Sequence, residues 1–319
     1  MNKQRILVTG ASGFIGNALI NLLKKEAMNH MPDYEIIGIS RNISEQNEIT
    51  DYYLLNYRKC DITCALDVQS LMTKYPPTMI FHLAANPLVS DGKPNITQTN
   101  ILGTHNLLEY CPQGCKFIFI SSATVYGDLG KEKICTETDL CNPTSIYGIT
   151  KLACEKLIEI YTKQNKINSL ILRLVAQVGP NNSHGVLKDF INKTLSLNST
   201  FPILGQFPGS YKPYMHVNDT VKIIKSMGIN HVNGIFNIAP NNSIYTKIIA
   251  DIVTKRLNKL KEYIWTGQNW FGDNPVVKIS NEKINKLYHF LNTIINKTSE
   301  EAIIQAIDDE MRFRGLNAN

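Results

Sequence analysis

The sequence lacks any apolar run of the ~20 residues that a helix needs to cross a bilayer, and it contains no internal repeat. The apolar stretch near its N-terminus is shorter than the core of a secretory signal peptide and is typical of a first strand instead. We therefore expect a cytoplasmic protein. Sequons such as those at Asn42 and Asn192 then reflect an Asn-rich composition rather than glycosylation.

Cysteine is too sparse for a disulfide scaffold, with 7 cysteines in a chain of 319 residues. The two Cys-x-x-x-Cys pairs, Cys60/Cys64 and Cys111/Cys115, lack the histidines or the second closely spaced pair that a zinc site needs. We expect free thiols in a reducing compartment, and we predict no metal ligands.

Charged side chains make up only 19% of the chain, and the 33 Lys and Arg residues exceed the 27 Asp and Glu residues by 6. Because the basic residues form no run, the sequence shows no sign of a nucleic-acid or membrane partner. The small positive excess suits anionic ligands. A hydrophobic share of 43% is ordinary for a globular protein with one large domain or two coupled ones.

The first half of the sequence does contain a regular alternation of short apolar runs and longer helical patterns. Short apolar runs between glycines or prolines predict strands, whereas apolar residues spaced by three and four predict helices. The predicted strands are Ile6–Thr9, Glu35–Ile39, Met79–Leu83, Phe117–Ile120 and Leu170–Leu174, and the predicted helices are Phe14–Lys25, Asn100–Tyr110 and Ser145–Gln164. This alternation predicts an α/β fold, a Rossmann doubly wound parallel sheet with helices on both faces.

After Gly179-Pro180 the sequence becomes richer in Asn, Gly, Pro and Ser, and the predicted elements become shorter. A helix at Val217–Ser226 and a strand at Ile235–Ala239 are expected to return to the main sheet. Residues 1–179, with 216–239 returning to them, are therefore predicted to form an NAD(P)-binding domain. Residues 180–215 and 240–319 are predicted to form a smaller, interleaved substrate-binding lobe.

Three glycines lie between the first strand and the first helix, at Gly10, Gly13 and Gly16. Such a turn brings backbone N–H groups and a helix N-terminus to the pyrophosphate of a dinucleotide. Gly10 would permit the tight turn, Gly13 the close approach of the phosphates and Gly16 the close packing of helix on strand. The neighbouring Ser12, Phe14 and Ile15 are predicted to join them in the cofactor site.

The end of the second strand distinguishes the two nicotinamide dinucleotides. NAD enzymes usually carry an acidic residue there for the ribose 2′-OH, whereas this chain has Ser40-Arg41-Asn42. Because a guanidinium can pair bidentately with a phosphate, Ser40 and Arg41 favour NADP(H) over NAD(H). The alternative is that Arg41 stacks on adenine or faces water.

The fourth predicted strand ends in Ser121-Ser122, and Tyr147 and Lys151 follow on one face of the next long helix. A phenol with a pKa near 10 needs help to act as a base at pH 7, and an ammonium beside it, together with an oxidised nicotinamide, would lower that pKa. Ser122 would hold a substrate hydroxyl, and Tyr147 would move its proton while a nicotinamide moves the hydride.

The sequence resembles the extended short-chain dehydrogenase/reductase family, in its NAD(P)-dependent sugar-nucleotide epimerase/dehydratase branch. The resemblance covers nearly the whole chain. The matching segments are Gly10–Gly16, Asp61-Ile62, Phe81–Ala85, Asn100 with Gly103-Thr104, Ser121–Gly127, Tyr147–Lys151, Leu172-Arg173 with Gly179-Pro180, and Tyr214–Asp219.

The resemblance implies further site residues and an assembly. Cofactor contacts would come from Asp61 and Ile62 at the adenine, from Leu83, Ala84 and Ala85 along the cleft, from Asn100 near the nicotinamide, and from Lys151 at its ribose. Thr124 would join the catalytic set, and substrate contacts would come from Asn86, Ser122, Leu187 and Lys212. The helices carrying Asn100–Tyr110 and Ser145–Gln164 would pair in the four-helix bundle of a homodimer. His82 and His216 are expected to be structural.

Departures from the family pattern narrow the activity. The Asp-Glu pair of the 4,6-dehydratases is replaced by Ala123-Thr124, and the Cys and His of 3,5-epimerising relatives are replaced by Thr124 and Asn181. In the substrate lobe, a usual Asn falls at Ala176, a usual Arg at Lys212, and a second Arg is missing before Gly272-Asp273, where Trp270-Phe271 stand. The usual diphosphate clamp is therefore in doubt.

The activity that remains after these departures is hydride transfer at C4 of a nucleotide-linked hexose. An NADPH-dependent 4-ketoreductase is slightly favoured by Ser40-Arg41. A 4-epimerase with tightly bound NAD+ is favoured by the Ser-Ala-Thr-Val-Tyr-Gly stretch at residues 122–127. A non-catalytic NADP-sensing regulator is a distant third, because such proteins tend to lose the Tyr-Lys pair that this chain keeps.

Overall fold

The computed structural model describes residues 4–30, 34–41, 55–87, 96–128, 130, 132–268 and 274–316. The chain divides into two compact units. Unit 1 comprises residues 1–125, 146–173 and 221–236, and unit 2 comprises residues 126–145, 174–220 and 237–319.

Unit 1 is built on one seven-stranded sheet. Its elements are β1 Gln4–Thr9, α1 Phe14–His30, β2 Tyr34–Ser40, β3 Leu55–Lys59, α2 Ala65–Lys74, β4 Met79–His82, a π-helix Gln98–Leu102, α3 Gly103–Tyr110, β5 Cys115–Ser122, α4 Ile146–Lys163, β6 Ile167–Leu174, and, later in the chain, α6 Val217–Ile229 and β11 Gly234–Ile238. The strand order in the sheet is β11-β6-β5-β4-β1-β2-β3, and the neighbouring pairs from β3 to β5 are parallel. The predicted Rossmann α/β fold is confirmed.

Burial explains why the apolar runs of unit 1 form strands. β4 is buried along its whole length and β5 along all but its last residue, as parallel strands covered on both faces must be. Helix α1 presents Leu19, Ile20 and Leu23 to the core at helical spacing. This packing places the carboxyl ends of β1, β2 and β5 at one edge of the sheet, where parallel sheets bind ligands.

The eight elements predicted in the first half are all present, with ends that differ by a few residues. The sequence analysis missed β3 and α2. Strand β3 lies at the sheet edge and buries only Leu55 of its five residues, so it carries no apolar run. The predicted helix at Asn100–Tyr110 begins as the π-helix and continues as α3.

Unit 2 is made of short strand pairs and helices. Its elements are β7 Ala176–Val178, α5 Val186–Leu195, β8 Thr200–Ile203, β9 Tyr211–Lys212, β10 Tyr214–His216, β12 Ile244–Tyr245, α7 Thr246–Arg256, β13 Glu262–Trp265, α8 Glu282–Leu287, α9 Asn292–Ile295 and α10 Ser299–Phe313. The pairs are β7–β10, β8–β13 and β9–β12. Apolar faces of α5, α7 and α10 form its core.

Residues 126–145, 174–179, 216–220 and 237–239 belong to unit 2, whereas the sequence analysis included them in the first domain. The functional assignment of the two parts stays a prediction. All seven cysteines are free. None of the helices in the described part of the chain is long and apolar enough to span a bilayer.

Candidate active site

The turn between β1 and α1 has no room for side chains at two of its glycines. A Cβ on Gly10, whose φ is +69°, would lie 2.7 Å from the backbone nitrogen of Ala84. A Cβ on Gly16 would lie 2.1 Å from the carbonyl oxygen of Gly10. At Gly13 the nearest atom would be that same oxygen at 3.1 Å, so this glycine faces open space on its other sides.

This turn fits the diphosphate of a dinucleotide. The first N–H groups of α1, at Phe14, Ile15 and Gly16, have no acceptor within the helix, and the partial positive charge of the helix end adds to them. Ser12 is exposed, and its hydroxyl lies 2.7 Å from that of Ser40 at the end of β2. No acidic side chain belongs to the turn, so the residues present favour an anion there.

A cleft of about 190 Å³ opens beside this turn and gathers ten of the predicted cofactor residues. Its lining comprises Gly10, Ser12, Gly13, Ser40, Arg41, Asp61, Ile62, Leu83, Ala84 and Ala85, together with Ile39, Cys60 and Thr99. The sequence analysis did not predict Ile39, Cys60 and Thr99, although each of them directly precedes a predicted residue in the sequence. Asn42 lies outside the described residues. The ligand contacts themselves stay predictions.

Ser122, Tyr147 and Lys151 meet where β5 ends and α4 begins. The Ser122 hydroxyl lies near the Tyr147 phenol and opposes the rise of its pKa as a hydrogen-bond donor. The Lys151 ammonium is buried, donates to the carbonyl oxygen of Ile120 at 2.7 Å, and lies 5.7 Å from the centre of the Tyr147 ring. All three side chains belong to unit 1.

The residues of the chain by themselves raise the pKa of the Tyr147 phenol, and the lowering expected from Lys151 together with an oxidised nicotinamide stays a prediction. Burial, with a smaller contribution from Cys154, raises the pKa of Tyr147 to about 12, although Ser122 opposes this shift as a hydrogen-bond donor. Burial likewise lowers the pKa of Lys151 to about 8, against the opposing effects of Cys154 and Glu155. Tyr147 is therefore protonated at neutral pH and is ready to donate a proton.

Thr124 fixes the direction in which the Ser122 hydroxyl points. The Ser122 Oγ accepts hydrogen bonds from the Thr124 amide at 3.2 Å and from the Thr124 hydroxyl at 3.0 Å. A hydroxyl has two lone pairs and one proton. Because both lone pairs are engaged, the remaining capacity of Ser122 is to donate.

Asn100 is buried and does not line the cleft. Its amide oxygen accepts from the backbone N–H of Asn86 at 2.7 Å, and its amide nitrogen donates to the Asn86 carbonyl at 3.3 Å and to the Thr150 hydroxyl at 2.9 Å. The Thr150 hydroxyl donates in turn to the Tyr147 carbonyl at 2.8 Å. Asn100 thus ties the loop after β4 to the helix that carries Tyr147.

A buried ion pair lies behind Lys151, one turn further along α4. Glu155 receives two hydrogen bonds from the Arg173 guanidinium, at 3.0 and 2.7 Å, and one from the Ser121 hydroxyl at 2.5 Å. The sequence analysis matched Arg173 only as part of a motif and did not consider Glu155. Its spacing of four residues from Lys151 was the available signal.

His82 is structural, as expected. It lies between the hydroxyls of Thr9 at 2.7 Å and Thr104 at 2.8 Å. Since Thr104 gives its own proton to the Asn100 carbonyl, the Nε2 of His82 must donate and its Nδ1 must accept. Burial lowers the pKa of this imidazole to about 3, so it stays neutral.

The predicted substrate residues are divided between the units. Asn86 and Ser122 belong to unit 1, whereas Leu187 and Lys212 belong to unit 2. Leu187 packs into the core of unit 2, and Lys212 ends the short strand β9 and is half-buried. The residues Trp270–Asp273 lie outside the described residues. The substrate roles stay predictions.

The parallel sheet, the glycine turn and the Ser-Tyr-Lys arrangement together define an extended short-chain dehydrogenase/reductase. The sequence model of the NAD dependent epimerase/dehydratase family matches residues 6–239. The chain belongs to that family, and the resemblance read from its motifs is confirmed.

Known proteins of the same kind differ in their reactions. A dTDP-glucose 4,6-dehydratase of Neisseria gonorrhoeae is 28% identical over 193 residues, 56% of each chain, so this chain spans about half the length of such relatives. A dTDP-4-dehydro-6-deoxyglucose reductase of Escherichia coli is 27% identical over 271 residues, which are 81% of this chain and 83% of the relative. The structure of the Thermus thermophilus UDP-glucose 4-epimerase was solved in complex with NAD, and it superimposes on this chain with a TM-score of 0.81 at 22% sequence identity. The superposition covers 97% of this chain and 99% of that one, which shows that the two share a fold.

Proposed function

We propose that this protein reduces the ketone at C4 of a nucleotide-linked 4-keto hexose and uses NADPH to do so. The observation that carries the proposal is the pair of donors at the site. Ser122 has only its proton left to offer, and the phenol of Tyr147 is protonated at neutral pH. Two converging donors suit an oxygen that gains negative charge during the reaction.

Ser122, Tyr147 and Lys151 have different roles in the proposed reduction. Ser122 donates a hydrogen bond to the carbonyl oxygen and orients it. Tyr147 transfers its phenolic proton to that oxygen, and the resulting phenolate is stabilised by the charge of Lys151. A nicotinamide cofactor, when bound, supplies the hydride.

NADP(H) is favoured over NAD(H) because Ser40 and Arg41 stand where an acidic residue would bind an unphosphorylated ribose. Arg41 lines the cleft and is exposed, and within the described residues it forms no ion pair. A 2′-phosphate would give this guanidinium a partner. The Thermus epimerase solved with NAD shares the fold, but at 22% identity that likeness does not extend to the choice of dinucleotide.

Dehydration is disfavoured by the two residues after Ser122. Ala123 has no ionisable group, and the hydroxyl proton of Thr124 is engaged by Ser122. A C4-epimerase with tightly bound NAD+ is the second candidate, favoured by the residues at 122–127. The alignment with the Escherichia coli reductase, which spans most of both chains, supports the first.

The decisive experiment measures the cofactor released from the purified protein and its turnover of 4-keto UDP-, GDP-, CDP- and dTDP-sugars with NADPH and with NADH. We expect little bound dinucleotide and NADPH-dependent reduction of one of these sugars. Stoichiometric bound NAD+ with exchange at C4 would favour the epimerase instead.

Tyr147→Phe tests the proton donor. It should lower kcat by about 10²–10⁴-fold, the usual effect of losing a general acid, while NADPH still binds. Tyr161→Phe is the matched control, since its hydroxyl lies on the same helix but bonds Glu109. Equal turnover of Tyr147→Phe and the parent protein would contradict the mechanism.

The homodimer expected from the family is also proposed. Helices α3 and α4 and the π-helix before α3 leave apolar side chains uncovered in the chain, with Leu102 43%, Ile149 53% and Ile160 51% exposed. Pairing these helices with those of a second copy would bury them. Light scattering should show a dimer, and Ile149→Asp should convert it to a monomer. Leu140→Asp is the control, because Leu140 is also an exposed apolar residue but lies outside these helices, and it should leave the dimer intact. A monomeric parent protein would contradict the proposal.

A further inference from the structure

A groove rich in cations continues the cofactor cleft around the edge of the sheet. It has a volume of about 660 Å³ and lies entirely within unit 1. Its polar lining comprises Arg41, Arg58, Lys59, Asp61, Asp67, Ser70, Lys74 and Tyr75. We call these residues the basic groove. Three residues, Arg41, Cys60 and Asp61, line both the basic groove and the cleft.

The cations of the basic groove are not neutralised by the part of unit 1 that the structure describes. Four cations face two carboxylates, and none of the four forms an ion pair with any residue that the structure describes. Asp61 already accepts two hydrogen bonds from Thr63, and Asp67 accepts the backbone N–H of Asp61. A groove with surplus positive charge attracts an anionic group.

Strand register places Lys59 next to the predicted ribose position. β2 and β3 are parallel, and Lys59 is the register partner of Ser40. The backbone continues this pairing, because the Cys60 amide donates to the Ser40 carbonyl at 3.1 Å. Residues in register on parallel strands project from the same face of the sheet. Lys59 and Arg41 therefore flank Ser40, the residue at which a dinucleotide-binding sheet recognises the ribose.

Arg58 and Lys74 lie at the far side of the groove. Each is close to the ring of Tyr75, with 5.4 Å from the Arg58 guanidinium and 5.4 Å from the Lys74 ammonium to the ring centre. Tyr75 thus holds these two charges at a fixed place beside the groove. They contribute positive potential rather than the first contact to a group at Ser40.

We propose that Lys59 is a second phosphate-binding residue beside Arg41, and that the basic groove selects an adenosine whose ribose carries an additional 2′-phosphate. The proposal rests on the proposed function for its ligand, but it assigns Lys59, on a strand that the sequence analysis did not detect. A ribose 2′-phosphate and a ribose 3′-phosphate share the same charge, so position must be tested separately from charge.

The test measures binding of 2′,5′-ADP, 3′,5′-ADP and 5′-AMP to the full-length protein by calorimetry, which does not depend on turnover. The parent protein should bind 2′,5′-ADP at least about tenfold more tightly than the other two, the effect expected of hydrogen bonds to a charged group. Lys59→Ala should remove about tenfold of that preference and leave the affinity for 5′-AMP unchanged. Lys286→Ala is the matched control, because it removes an exposed lysine paired with Glu282 outside unit 1.

Three results would overturn the proposal. Equal affinity for 2′,5′-ADP and 5′-AMP would show that the groove recognises no additional phosphate, and equal affinity for 3′,5′-ADP would show that it does not recognise the 2′ position. If Lys59→Ala kept the preference for 2′,5′-ADP and Arg41→Ala lost it, Arg41 would be the only one of the two residues that binds the phosphate. In each case NAD-dependent turnover would leave the proposed reaction standing, whereas failure of every adenosine nucleotide and dinucleotide to bind would remove the reaction as well.

Discussion

The buried pair of Glu155 and Arg173 offers a sharp test of how α4, the helix that carries Tyr147 and Lys151, is held in place. Both side chains are almost fully enclosed, with 3% of Glu155 and 5% of Arg173 exposed. Glu155→Gln keeps the size and shape of the side chain and removes only its charge. The Arg173 guanidinium then remains buried beside a neutral amide.

The size of the effect follows from the geometry. Glu155 accepts Arg173 Nε at 3.0 Å on one oxygen and Arg173 Nη2 at 2.7 Å on the other. A glutamine can replace only one of these acceptors, and its NH₂ group would face a guanidinium N–H. Breaking a buried pair from one side costs about 3–5 kcal/mol, which is a large part of the ~5–15 kcal/mol that stabilises a typical native protein.

Urea unfolding followed by far-UV circular dichroism measures this loss. Glu159→Gln is the matched control, since it lies on the same helix but 44% of its side chain is exposed and it pairs with surface lysines. Exposed pairs contribute about 0–1 kcal/mol, so the control should unfold near the parent protein. A loss below about 1 kcal/mol in Glu155→Gln would place it in that surface range and refute the reasoning.

The same substitution should change the pH dependence of turnover. Glu155 raises the pKa of Lys151 against the lowering effect of burial, which leaves it at about 8. Without that carboxylate the pKa falls further, so the ammonium loses its proton at a lower pH. The alkaline limb of the pH–rate profile should therefore move toward neutrality in Glu155→Gln and stay in place in Glu159→Gln. A limb that does not move would show that Lys151 is not the group titrating there.

Three further outcomes are expected. Thr124→Val should reduce kcat by about tenfold, since one hydrogen bond that directs the Ser122 proton is lost; an unchanged kcat in steady-state kinetics would contradict this. Gly16→Ala should destabilise the protein by about 1–3 kcal/mol and weaken dinucleotide binding, because its Cβ would meet the Gly10 carbonyl at 2.1 Å; calorimetry and urea unfolding measure both. Burial alone would raise the pKa of Glu310, but its hydrogen bonds to two cations and an amide outweigh burial and lower it. That carboxylate therefore stabilises the protein above its unfolded pKa of about 4.3, and this stabilisation is lost as pH falls through the lower folded pKa. Glu310→Gln should therefore lower the free energy of unfolding at pH 7 and lower it much less at low pH. An equal loss at both pH values would be inconsistent with the lowered pKa.

Much of the fold and part of the candidate site could be predicted from patterns within short segments of the sequence. The glycine turn and the spacing of Tyr147 and Lys151 are each contained in one short segment, and their secondary structure follows from neighbouring residues. The apolar runs of β4 and β5 were visible for the same reason, because strands buried on both faces are apolar at nearly every position.

The remaining features depend on contacts between distant residues. β3 buries one side chain and has no pattern of its own, so Lys59 acquires meaning only through its register with Ser40. The pKa of Tyr147 depends on how much of the chain encloses it, which spacing does not reveal. Glu155 and Arg173 belong to different elements, and only the fold brings them into contact.

The π-helix at Gln98–Leu102 has a consequence for how the chain can vary. A π-helical turn holds more residues than an α-helical one, as if one residue had been added to the winding. Asn100 sits within that turn and reaches Thr150 from it. Deleting a single residue from the turn would restore regular winding and change the direction of the Asn100 amide by about 100°, which would separate it from the Thr150 hydroxyl. The length of this segment, and not only its composition, is thereby constrained by the position of the helix that carries Tyr147.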